Sequence, residues 1–347
     1  MSMKHLLAPV IVALALGVAA CGDDDESSTT ASDTTAAEQS GGATNETVAE
    51  GGKVKIAFSA PGADHGWMAA ITENAKDEAE ELGDVELISA EGVTDSAAQA
   101  DQIETLIQQK PDVLVVLPNE GEALTPVAMK AMAAGIPVVD VDREFSEQGA
   151  YRTLITGDNY GIGWQAGNYF ADELECKGNV VEIQGIAGIS VTEQRSQGFE
   201  DAIQDRCKGG IKIIASQPAD FVPDKGLSVM ENILQAHDDI DAVYTHDDDM
   251  AEGVVAAIEN AGREDEMFLT GAGGSKNAME RIKEGGLYRA TFLYNPSMSA
   301  SAIRLGRLIA RGEGLSELAE PEVPSKITVP ATTVTQENVD SVMELGF

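Results

Sequence analysis

Cysteine is scarce. The chain has three in 347 residues, Cys21, Cys176 and Cys207, and their spacing is not that of a zinc site. Basic residues are few as well: 23 Lys and Arg stand against 59 Asp and Glu, a formal net charge of −36. That balance argues against holding nucleic acid, or an anionic membrane surface, through charge. Read plainly, it is a solubilising surface and selects no ligand. Enzyme signatures are also missing. Ser59 has His65 nearby but no G-x-S-x-G elbow around it. No dinucleotide fingerprint follows the first strand, and the Gly271–Gly274 turn lacks the Lys-Ser/Thr pair of a P-loop. The run His246-Asp247-Asp248-Asp249 lacks the spaced glycine and terminal glutamate of a calcium loop. The expectation is a protein that does no chemistry and needs no metal and no cofactor.

What is present begins with a leader. Lys4 precedes an apolar run, Leu6–Val18, that is too short to favour a membrane-spanning helix. Val18-Ala19-Ala20-Cys21 resembles the lipobox of bacterial lipoproteins. That resemblance implies a signal peptide over residues 1–20 and lipidation of Cys21; ordinary secretion with an incidental cysteine is the alternative. Either way the mature chain works outside the cytoplasmic membrane, in the periplasm or at the cell surface. With lipidation, it meets the membrane only through its anchor. Residues 21–52, rich in Asp, Glu, Ser, Thr, Ala and Gly, carry almost no apolar periodicity and read as a disordered tether.

From Lys53 the pattern alternates. Strands are expected at 53–58, 85–89, 113–117 and 137–141, and helices at 65–82, 96–109 and 122–134. The alternation then restarts, with strands at 180–184, 211–216, 242–245, 267–270 and 290–293. Helices fall at 162–174, 193–205, 225–236, 250–260, 276–283 and 298–311. Ser190 and Glu193 fit a capping box that starts one of these helices. Such βα order predicts an α/β fold with two lobes, each a doubly wound parallel sheet. Residues 53–156 with 295–326 form the first lobe, and 157–294 with 327–347 the second. Connections at 152–159, 294–296 and 327–330 join them as a hinge. Cys176 and Cys207 end two helices that flank one strand. Export permits a disulfide between them, with two separate thiols as the alternative.

Just past the strand ends lie Ser59, His65, Trp67, Asp142, Arg143, Arg195, Phe221, Asp247, Gly273 and Tyr294. In open α/β sheets this carboxyl edge is where ligands bind. Facing lobes would bring these side chains to one cleft. Asp accepts from O–H, Arg donates in a planar fork, and aromatic faces cover C–H surfaces. The mix suits a neutral, polyhydroxylated ligand.

At these residues the chain resembles the sugar-binding proteins of bacterial ABC importers, in the ribose-binding-protein branch. The resemblance is carried by VEIQGIAGIS…QRSQGFEDAI, ASQPADF…KGLSVMENIL, DDDMAEGVVAAI, GIPVVDVDREF and TGDNYGIG. It implies Rossmann-like lobes, a three-segment hinge, closure on one small ligand, and delivery to a membrane permease. It makes Asp142, Arg143 and Arg195 hydroxyl partners and Phe221 a stacking ring. Trp67 and Met68 stand where the family often places two aromatics. His65 and Asp247 stand at asparagine positions. Ala272 and Gly273 replace an aromatic and an aspartate of ribose binders, and Tyr294 a glutamine. A monomer that binds another pentose, a hexose or a sugar alcohol is expected, with a sensory protein as the rival.

Overall fold

Short apolar runs that can be buried on both faces alternate with amphipathic helices, and the chain forms two sheets accordingly. The computed structural model describes residues 47–49 and 51–347. The first sheet takes β1 (Val54–Ser59), β2 (Val85–Ser89), β3 (Val113–Val116), β4 (Val138–Val141) and β5 (Thr153–Gly157). Between them run α1 (Gly66–Leu82), α2 (Ser96–Gln108) and α3 (Gly121–Ala133). The second takes β6 (Gly178–Gln184), β7 (Ile211–Pro218), β8 (Ala242–Thr245), β9 (Phe268–Thr270) and β10 (Tyr288–Phe292). Its helices are α4 (Asn159–Glu173), α5 (Ser190–Cys207), α6 (Pro223–Ala236), α7 (Asp248–Asn260) and α8 (Lys276–Glu284). The chain then returns to the first lobe as α9 (Met298–Arg311), which packs on α1, β1, β3 and β4.

Two last strands complete the pair. β11 (Lys326–Val329) joins β5 in parallel, and β12 (Thr333–Thr335) joins β10 antiparallel. The sheets read β2-β1-β3-β4-β5-β11 and β7-β6-β8-β9-β10-β12, so each lobe repeats the other's order. The four residues of β3 are completely buried. Burying each such side chain is worth about 1.5–3 kcal/mol, which favours the centre of a sheet over its edge.

Backbone bonds tie the first crossing to the end of β11 and the end of β10 to the third crossing. Asp158 N–H donates to Val329 O at 2.9 Å and Leu293 N–H to Thr332 O at 2.8 Å. The third crossing lies at 330–332. Residues 327–329, expected in the second lobe, therefore belong to the first, because β11 pairs with β5; Gly157, the last residue of β5, moves with them. β5 itself lies inside the stretch read as a bare connection.

The capping box is not formed. Ile189 holds the N-cap position of α5 without a side-chain bond, and Ser190 is already helical. Cys176 and Cys207 are joined by a disulfide, which ties the ends of α4 and α5 together. Cys21, the leader and most of the tether lie outside the described residues. The tether's end, however, is held. Val48 N–H donates to Ala310 O at 2.9 Å, and Arg311 donates to Ala49 O and Gly52 O.

Candidate ligand-binding site

Both sheets end at one cleft. Its inner cavity is lined by His65, Trp67, Asp142, Arg143, Val191, Arg195, Phe221, Asp247, Ala272, Gly273 and Tyr294. A wider outer space shares His65 and Arg143 with it.

Backbone shape aims two of these side chains. Asp142, one residue past β4, has φ of +68°, and Phe221, past β7, has φ of +66°. Both occupy the left-handed region that non-glycine residues enter at a cost. The Phe221 ring lies against Gly185, where a Cβ would come within 2.0 Å of it.

The polar groups form one network around Tyr294. Its hydroxyl donates to Asp142 Oδ1 and accepts from Asn159 Nδ2 at 3.1 Å. Trp67 stacks on its ring at 5.5 Å and donates Nε1–H to its carbonyl at 2.8 Å. The Arg195 guanidinium sits 4.7 Å from the ring centre. Its Nε–H donates to Asn159 Oδ1 at 2.9 Å and an Nη1–H to His246 O. A buried guanidinium needs such partners to offset its lost hydration. Arg143 donates to Asn119 O at 2.9 Å and lies 3.7 Å from Asp142 Oδ2, while its buried Nε has no hydrogen-bond partner among the described residues.

The run His246–Asp249 sends its side chains in four directions. His246 Nε2 meets Glu182 Oε1 at 3.0 Å, beneath the cleft floor. Burial keeps this imidazole's pKa below the ordinary value, so we assign it as neutral with the proton on Nε2. Asp247 faces the cavity, and one of its oxygens accepts Met250 N–H at 2.8 Å as the cap of α7. Asp248 accepts from Gly274 N, Ser275 N, Tyr288 Oη and Thr291 Oγ1 and so fixes the turn that carries Gly273. Asp249 reaches the other lobe and accepts Trp67 N–H at 3.2 Å.

A family profile described as "Periplasmic binding protein domain" matches residues 56–314. The chain belongs to the periplasmic binding protein family. Among relatives of this periplasmic binding protein, the ribose import binding protein of Bacillus subtilis is 34% identical over 243 residues, 70% of this chain and 77% of that one. An ABC transporter solute binding protein from Mycobacterium smegmatis, solved with bound glycerol, is 32% identical with a TM-score of 0.77. The alignment covers 84% of this chain and 97% of that one. The fructose-binding periplasmic domain of a hybrid two-component system is 29% identical, TM-score 0.75, over 84% and 93% of the two chains. At the level of the family, these are solute-binding proteins rather than enzymes.

Two residues expected in the site of this periplasmic binding protein lie outside the inner cavity. Ser59 is buried at the end of β1, where its hydroxyl accepts from Gln99 Nε2 at 3.2 Å. Met68 is buried on α1 and borders only the outer space. Other contributors escaped the sequence reading. Val191 lines the cavity as small apolar surface, beside Ala272, which the family resemblance had placed there. Asn159 holds both Arg195 and Tyr294, and its signal was the TGDNYGIG motif at the first crossing.

Charge in the cleft is set by burial. Burial pushes the Asp247 carboxyl up to about 7, with nearby His65 opposing. Burial also presses His65 down, but the bond to Asp64 at 2.5 Å and the charges of Asp247, Asp64 and Asp249 outweigh it and leave its pKa raised. Tyr294 is held well above the ordinary phenol range by burial and by Asp142.

Proposed function

We propose that the chain is an extracytoplasmic lipoprotein that captures a monosaccharide or related polyol between its lobes and presents it to an ABC permease. One observation carries this reading. Asp142, Arg143, Arg195 and Asp247, drawn from both lobes, converge with Trp67, Phe221 and Tyr294 on one small cavity. Carboxylates and guanidinium groups match hydroxyls, and the rings match C–H faces. Gripping from both sides makes closure depend on the ligand. Lipidation at Cys21 and a monomeric state complete the proposal.

Thermal-shift screening against pentoses, hexoses and sugar alcohols tests it. Ligand at about a hundred times its Kd stabilises the bound state by about 2.7 kcal/mol, a shift of several degrees. At least one neutral polyol should produce it, and a flat response across the panel would sink the reading. A sensory protein is the second reading, supported by the likeness to the fructose-binding sensor domain. Permease and ATPase genes beside this one favour transport, and a kinase gene favours sensing.

A further inference from the structure

The amino terminus of α1 lacks a cap from its own lobe. A helix leaves its first N–H groups without intrahelical partners. His65, at the N-cap position, is extended and makes no side-chain capping bond, and the first turn holds no acidic residue. The missing acceptor comes from the other lobe. Asp249, in the first turn of α7 and 182 residues further on, accepts Trp67 N–H through Oδ2 at 3.2 Å.

Two further features fit this contact. Gly66 leaves room for it, since a Cβ there would sit 3.1 and 3.2 Å from the two Asp249 oxygens. The carboxylate also faces the positive end of the α1 dipole. Asp249 does not line the inner cavity. Its contact with Trp67 exists only while the lobes are together; once they part, both groups return to water. It therefore favours the closed form over the open one whatever the cleft contains.

We propose that Asp249 is a cross-cleft latch, a positioning residue that holds the lobes shut by capping α1. The proposal rests on the reading above for the ligand that closure retains, and its mechanical part can be measured without one.

The test uses the full chain and two variants, Asp249→Ala and Gly66→Ala. Without ligand, hydrogen exchange of the first turn of α1 and small-angle scattering are measured. With any polyol that the thermal screen identifies, the dissociation rate is measured. Asp249→Ala should exchange faster at residues 66–69, scatter as a more open particle and release the polyol about tenfold faster at an unchanged association rate. Gly66→Ala should shift all three in the same direction by less, although alanine favours the helix itself. An Asp249→Ala chain that matches the native one in exchange, scattering and release overturns the latch. If no polyol binds the native chain, the reading above fails, while the two ligand-free measurements still decide this proposal.

Discussion

The Tyr294 hydroxyl donates to the Asp142 carboxylate, which ties the second crossing to the end of β4. The ring has its place because residue 157 is glycine, where a Cβ would come within 1.9 Å of it. Tyr294→Phe keeps the ring and removes the donor, so a buried carboxylate oxygen loses its partner. We expect a loss of about 1–3 kcal/mol in the unliganded protein. Denaturant unfolding measures it, and unchanged stability would show that water replaces the hydroxyl at no cost.

Asp142 and Arg195 approach the cavity from different lobes, so each should matter to binding separately. Removing one charged hydrogen-bond partner costs about 1.5–3 kcal/mol, or roughly 10–100-fold in Kd. Asp142→Ala and Arg195→Ala should each weaken polyol binding by that factor in calorimetry, with the circular dichroism of the fold kept. Native affinity in both variants would remove these residues from the site.

Asp247 makes stability depend on pH. Its folded-state pKa of about 7 lies above the ordinary 3.8. Between those values the folded chain holds a proton that the unfolded chain has lost, so this contribution falls as pH rises from about 4 to about 7. Asp247→Asn keeps an acceptor for Met250 N–H and cannot ionise. Its stability relative to the native chain should therefore rise across that window and stay level above it. Thermal melts of both proteins from pH 4 to 8 check this. Parallel curves would mean that Asp247 titrates like an exposed carboxylate.

The disulfide should stabilise the second lobe without touching recognition. It closes a loop across a sequence separation of 31, for which about 3–4 kcal/mol is typical. Cys207 ends α5, while Arg195 lies 12 residues earlier, about 18 Å along the helix. Replacing both cysteines with serine should lower the melting temperature and leave the polyol Kd within twofold, measured on the same preparation.

How much of this was legible in the sequence follows from where the deciding partners lie. Strands such as VLVV and AVYT announce themselves because both faces are buried. β5 did not, since RTLITGDN mixes threonine and glycine with only two large apolar residues. Residues at the carboxyl edge followed from topology alone, which is why Asp142, Arg143, Arg195, Phe221 and Asp247 could be placed together. Ser59 stood at the same edge, yet Gln99, 40 residues on, occupies its hydroxyl. Asn159, Asn119 and Asp249 were missed for the same reason, because their partners are 36, 24 and 182 residues away. Local pattern reports which face a residue takes and says nothing of the distant group it meets.

The bond from Val48 to Ala310 fixes where the chain enters its folded part. The chain's N-terminal side arrives at the foot of the first lobe, beside the end of α9, and is fastened there by Arg311 as well. A mooring upstream of Val48 would therefore join the molecule through this lobe and not through the one that carries Arg195 and Asp247.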